Sequence, residues 1–142
     1  DWKPTSWVSF VLAYSYLDLD FSPNAGITND LASLRYSEGS ALQQVSLRSS
    51  LALAENWRLN LWGRYTDSIY SWDQTEVTGG PLVIDGYFSL DANVIWTPNR
   101  HLELMLAGQN LLNSSQVEYR AEYSTPTTAI ERGVYGKLTW RF

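Results

Sequence analysis

The sequence predicts an all-β fold: an antiparallel transmembrane β-barrel wall of about six strands. Three observations predict it. Six segments alternate apolar and polar residues with period two. The charges within them fall on one side of that alternation. The connections switch between very short and long. Successive strand side chains point to opposite sides, so such a segment has one apolar and one polar face.

The first strand is expected near residues 7–17, where Val8, Phe10, Leu12, Tyr14 and Tyr16 oppose Ser9, Val11, Ala13, Ser15 and Leu17. The second, near 44–54, sets Val45, Leu47, Ser49, Leu51 and Leu53 against Ser46, Arg48, Ser50, Ala52 and Ala54. In the third, near 57–67, Trp57, Leu59, Leu61, Gly63 and Tyr65 oppose Arg58, Asn60, Trp62, Arg64 and Thr66. In the fourth, near 86–97, Phe88, Leu90, Ala92, Val94 and Trp96 oppose Tyr87, Ser89, Asp91, Asn93 and Ile95. The fifth, near 101–110, sets Leu102, Leu104, Leu106 and Gly108 against Glu103, Met105, Ala107 and Gln109. The sixth, 133–142, places Val134, Gly136, Leu138, Trp140 and Phe142 on one face and Tyr135, Lys137, Thr139 and Arg141 on the other.

Arg48, Arg58, Arg64, Asp91, Glu103, Lys137 and Arg141 all sit on the polar side, which is the side expected to line a lumen. An Arg or Lys facing lipid near the bilayer midplane costs roughly 2–4 kcal/mol, and this distribution avoids that penalty. A soluble β-sandwich sorts its charges the same way, with the apolar side as core, so the pattern alone leaves both open. The connections favour the barrel. Glu55-Asn56 and Thr97-Pro98-Asn99-Arg100 are short turns. Residues 18–42, 67–83 and 111–132 are long, polar and rich in turn formers, and read as structureless extracellular loops. Trp2, Trp7, Trp57, Trp96 and Trp140 lie near the short-turn end, and Tyr14, Tyr16, Tyr65 and Phe88 near the other, as two aromatic girdles would.

Composition sets wider bounds. The chain has 142 residues, seven Trp, nine Tyr and four Phe, while its mean hydropathy is slightly below zero. There is no cysteine for a disulfide or thiolate site, and the net charge of -5 argues against nucleic acid as a partner. No apolar run is long enough for a transmembrane helix, which leaves strand-built membrane proteins open. The start at Asp1, without Met or a signal peptide, is expected for a processed product or an excised piece. Six strands fall short of the eight at which bacterial single-chain barrels begin. The chain is therefore expected either to be part of a larger barrel or to close one with further copies.

Two stretches resemble a family. Leu102-Glu103-Leu104-Met105-Leu106-Ala107-Gly108-Gln109-Asn110-Leu111-Leu112-Asn113 resembles the penultimate strand of TonB-dependent outer-membrane receptors, where a GxNLL(D/N) element opens the last long loop. Arg132 to Phe142 resembles their final strand, and Gln44–Leu51 and Leu61–Tyr65 resemble their hairpin strands. The resemblance runs from Trp7 to Phe142, and one departure is Lys137, which stands where the assembly signal has Gly, one place after Gly136. It implies the C-terminal part of a 22-stranded barrel in the bacterial outer membrane, whose plug couples to an energised inner-membrane complex. Such receptors admit a scarce ligand such as a siderophore, cobalamin or a sugar. The implied partners are outer-membrane lipid and lipopolysaccharide, the barrel-assembly machinery, and the remaining strands and plug. Tyr135, Gly136, Leu138, Trp140 and Phe142 would carry barrel closure and the assembly signal.

No catalytic motif, phosphate loop or cofactor signature is present, so the expectation is a non-enzyme without cofactors. His101, the only histidine, follows a turn beside Arg100 and reads as a surface residue. Asp91 and Glu103 lie on neighbouring strands and could pass for a catalytic carboxylate pair, but cations on the polar face are expected opposite them. Arg35, Tyr36, Tyr70, Trp72, Tyr119, Arg120 and Tyr123 stand in the long loops as candidate ligand contacts. Loop packing and lipopolysaccharide contact account for them equally well. Two other functions remain open: a small stand-alone or self-assembling barrel with a structural or passive-pore role, and a soluble β-sandwich binding module.

Overall fold

The computed structural model describes residues 1–20, 26, 39–71, 82–119 and 128–142. Its strands are β1 (Trp2–Thr5), β2 (Val8–Tyr16), β3 (Gln43–Ala54), β4 (Trp57–Thr66), β5 (Ile69–Ser71), β6 (Leu82–Ile84), β7 (Tyr87–Asn99), β8 (Leu102–Gln109), β9 (Ser115–Tyr119), β10 (Thr128–Glu131) and β11 (Gly133–Trp140). Seven of them form one sheet in the order β1-β2-β3-β4-β7-β8-β11, an antiparallel meander. The described residues contain no helix.

Directly paired residues of an antiparallel ladder share a face, so the register fixes the faces. Phe10 pairs with Ser49, Leu12 with Leu47 and Tyr14 with Val45. Val45 continues to Tyr65, and Tyr65 to Phe88. Val94 pairs with Leu106, Leu106 with Gly136, and Leu104 with Leu138. One face is thus apolar from β2 to β11.

No second layer covers that face among the described residues. Leu12, Phe88, Val134 and Leu138 are 67, 64, 66 and 66% exposed, whereas Ser89 and Ala107 on the polar face are 4 and 5% exposed. A sandwich would bury the first set in its core. Here the sheet is a single layer with its apolar side outward, and none of the described large side chains is fully buried. The sandwich therefore falls away.

Three expectations change. β1 is an additional strand at the sheet edge, joined to β2 through a register shift and carrying Pro4. Proline lacks a ladder donor and is tolerated at such an edge. The stretch Thr97-Pro98-Asn99-Arg100 is not all turn: β7 runs on to Asn99, with a register shift between Trp96 and Asn99 that accommodates Pro98. The long connections 67–83 and 111–132 are not structureless either. Ile69 pairs with Ile84 and Tyr70 with Val83, while Ile130 pairs with Gln116, so β5–β6 and β9–β10 are small separate hairpins. β-branched residues inside polar stretches favour these short ladders.

The Gly108–Asn113 element is a built corner. Asn110 adopts a left-handed φ of 50°, which Asn tolerates better than most residues. Its side-chain amide donates to the Ile130 carbonyl at 2.9 Å, and the Asn113 amide donates to the Phe88 carbonyl at 2.8 Å. The Leu111 N–H donates to the Leu90 carbonyl at 2.9 Å. Leu111 folds back so closely on Gly108 that a Cβ there would lie 2.7 Å from its Cδ2 atom. The corner thus ties β7, β8 and β10 together. Asn110→Ala loses both the left-handed tolerance and the bond to Ile130, and is expected to destabilise by about 1–3 kcal/mol. Asn110→Gly, which restores the backbone freedom alone, should recover part of this. Urea midpoints of the protein in detergent measure both.

Candidate functional site: the charged face and its two rims

The chemistry collects on the polar face. Asp91 on β7 is its hub, because register places it beside Trp62 of β4, which in turn pairs with Arg48 of β3. One Asp91 oxygen accepts from the Arg64 guanidinium at 2.8 Å, and the other accepts the Asn110 backbone N–H at 2.9 Å. Arg64 also donates to the Ser89 hydroxyl at 3.1 Å. The guanidiniums of Arg48 and Arg64 each stand 4.2 Å from the Trp62 ring centre. Both therefore lie against the indole in a cation–π arrangement. The next row down adds an amide pair, Asn60 donating to Asn93 at 2.8 Å. A trough of about 500 Å³ runs over Arg48, Trp62, Asn60, Asn93, Gln109 and Tyr135.

The short-turn rim is fastened by the histidine. Arg100 donates from Nε to His101 Nε2 at 2.9 Å, so Nε2 accepts and Nδ1 is left to donate to the Arg141 carbonyl at 2.8 Å. The Arg141 N–H returns a bond to the His101 carbonyl at 2.8 Å, and the imidazole stacks on Trp140 at 6.3 Å. His101 is half-buried and holds the end of β11, rather than standing free at the surface as expected. Asn99 prepares this turn by accepting the His101 and Leu102 N–H groups. Glu103 meets Arg141 at 3.2 Å. Asp91 and Glu103 therefore each face a guanidinium and do not converge as a reacting pair. Aromatic stacking lines the apolar side of both rims, with Trp57 on Trp96 at 5.5 Å and Trp2 on Phe10 at 5.6 Å at one end, and Tyr65 against Phe88 at 4.7 Å at the other.

Of the residues singled out from sequence, Arg48, Arg64 and Asp91 come together around Trp62. Arg58 and Lys137 share a lower row through Ile95 and Met105. Glu103 and Arg141 pair at the short-turn rim. Gly136, Leu138 and Trp140 lie on the apolar face of β11, Tyr135 lies on its polar face, and Phe142 is fully exposed past the strand end. Tyr70 is exposed on the β5–β6 hairpin, and Tyr119 ends β9 opposite Thr128. Arg35, Tyr36, Trp72, Arg120 and Tyr123 lie outside the described residues. The clasp of Trp62 and the roles of His101 and Asn110 were missed, because each depends on partners far away in the chain.

No protein-family model and no curated protein matches this chain. Among solved structures it is similar to the ferric-catecholate import receptor Fiu of E. coli K12 in its open form. The similarity has a TM-score of 0.57 at 20% identity, over 69% of this chain and 15% of the receptor's. At that identity the likeness is one of fold: this chain has the strand arrangement of a piece of a receptor barrel, spanning 15% of that receptor's length.

Asp91→Ala leaves the Arg64 guanidinium and the Asn110 N–H without their acceptor, and is expected to destabilise by about 1–3 kcal/mol. Asp91→Asn keeps an acceptor and should lose less. With Arg64 replaced by Met the two substitutions should differ less, which a double-mutant cycle of urea midpoints measures.

Proposed function

We propose that this chain forms barrel wall, extracellular loops and C-terminal assembly signal of a TonB-dependent receptor in the bacterial outer membrane, importing a scarce ligand such as a siderophore, cobalamin or a sugar. The observation that carries the reading is the single-layer sheet with its apolar face bare and its charges all on the other side. Water makes such a face unfavourable, whereas a bilayer is its natural solvent. Supporting it are the short turns gathered at one end, the long connections at the other, and the fold likeness to a receptor that imports ferric catecholates.

On this reading the short turns face the periplasm and the long connections face outward: 18–42 carries the candidate contacts Arg35 and Tyr36, 67–83 carries Tyr70 and Trp72, and 111–132 carries Tyr119, Arg120 and Tyr123. Tyr135, Gly136, Leu138, Trp140 and Phe142 present closure and assembly features. Arg48, Arg58, Arg64, Asp91, Glu103, Lys137 and Arg141 line the interior. In the described residues β1 and β11 are unjoined edges, and bare edges are not tolerated in lipid. Further strands of the same receptor would pair with them and enclose the plug, which an inner-membrane complex energises. Lipopolysaccharide and the barrel-assembly machinery complete the partners. The role is transport, not catalysis.

Insertion into proteoliposomes tests the reading. Trp fluorescence should be quenched by brominated lipid, and a protein that stays soluble without detergent as a folded monomer would refute it. Leu138→Arg should destabilise the inserted protein by roughly 2–4 kcal/mol, whereas Lys137→Gln on the opposite face should change stability little. Urea unfolding from vesicles compares them.

A further inference from the structure

The polar face is richer in positive charge than it needs for itself. Strands β3, β4, β7, β8 and β11 place Arg48, Arg58, Arg64 and Lys137 on it against Asp91 and Glu103. Asp91 is taken by Arg64, and Glu103 by Arg141. Among the described residues, Arg48 meets no carboxylate and is held only over the Trp62 ring. The chain as a whole is acidic, with a net charge of -5, so this cationic face is a local departure.

A second observation falls at the same place. The Trp62 Nε1 atom is buried and has no hydrogen-bond partner among the described residues. A buried N–H without an acceptor is uncommon and asks for a reason. Trp62 and Arg48 both line the 500 Å³ trough, beside the amides of Asn60 and Gln109 and the Asp91 carboxylate, whose charge Arg64 offsets. An unpaired guanidinium and an orphaned indole donor beside one open volume lack the same thing, a negatively charged acceptor. The volume is in the range that small ligands occupy.

We infer that this trough is an anion site that takes a small organic acid by one carboxylate group. Arg48 turns from the indole to grip the carboxylate, and the uncovered Trp62 N–H donates a further bond. Arg64 stays over the ring, anchored by Asp91 and Ser89. The site rests on the reading that the polar face lines the barrel interior. Its readout is binding in detergent, which does not depend on membrane insertion, so the two can fail separately.

The test is titration of succinate at low salt into the intact protein carrying this sequence, in non-ionic detergent, followed by calorimetry. Saturable binding is expected, and succinamide, uncharged but of similar size, should not bind. Arg48→Gln should weaken binding roughly tenfold or more, because a charge-assisted bond is lost. Arg48→Lys, which keeps the charge without the planar fork, should recover part of it. Trp62→Phe keeps a ring for both cations but lacks the N–H, and should weaken binding about threefold. Lys137→Gln, a distant charge on the same face, should change it by less than about twofold. Circular dichroism of each variant checks that the sheet is intact. Absence of saturable binding overturns the inference. So does an equal loss for Lys137→Gln and Arg48→Gln, since that would mean diffuse attraction and no site.

Discussion

Everything in this structure follows from an apolar face that none of the described residues covers. A sheet of this size would ordinarily pack a second layer against its apolar side and bury it. Here the leucines, valines and aromatics of β2 to β11 face outward, while the polar side chains crowd the other side. The usual inside and outside of a soluble protein are exchanged. Strand alternation then determines the rest, because each charge must fall at a position of one parity. A register slip of one residue would send Arg48, Arg64 and Asp91 out among the aliphatic side chains.

That constraint explains why the polar face is organised as a network. A single layer has no core to lock its strands together, so cross-strand side chains do more of that work. Asp91 joins β4, β7 and the corner after β8 through two oxygens. The corner in turn holds Ile130 at the base of the β9–β10 hairpin. At the opposite rim His101 and Arg141 exchange bonds between the β8 turn and the end of β11. Each rim is fastened by polar groups inside and aromatic stacks outside. The chemistry differs on the two faces because their surroundings differ.

Much of this was legible in the chain, and the reason is the same alternation. Period-two patterning is local, so the faces of β2, β3, β4, β7, β8 and β11 can be assigned without knowing what they pair with. The positions of Arg48, Arg64 and Asp91 on one face follow directly. What escaped were features that need a distant partner or a short ladder. β1 has too few residues to show a period and contains Pro4. The hairpins β5–β6 and β9–β10 are shorter than the window in which alternation stands out. His101 reads as a lone surface residue until Arg141, forty positions on, is seen to fold back onto it. Asn110 and Asn113 read as a family-like motif, but their work of bridging to Ile130 and Phe88 has no local signature.

The two edges of the sheet are unlike each other. β1 is short, register-shifted and broken by proline, whereas β11 pairs with β8 at eight consecutive positions without a bulge or proline. Its far side therefore offers a straight row of donors and acceptors, guarded by Lys137 but by no bulge or proline. Such an edge does not discriminate among strands of suitable length. Outside its intended surroundings it is an adhesive seam, ready to join the same edge of a second molecule. Left unpaired, an edge this regular makes the sheet prone to clump.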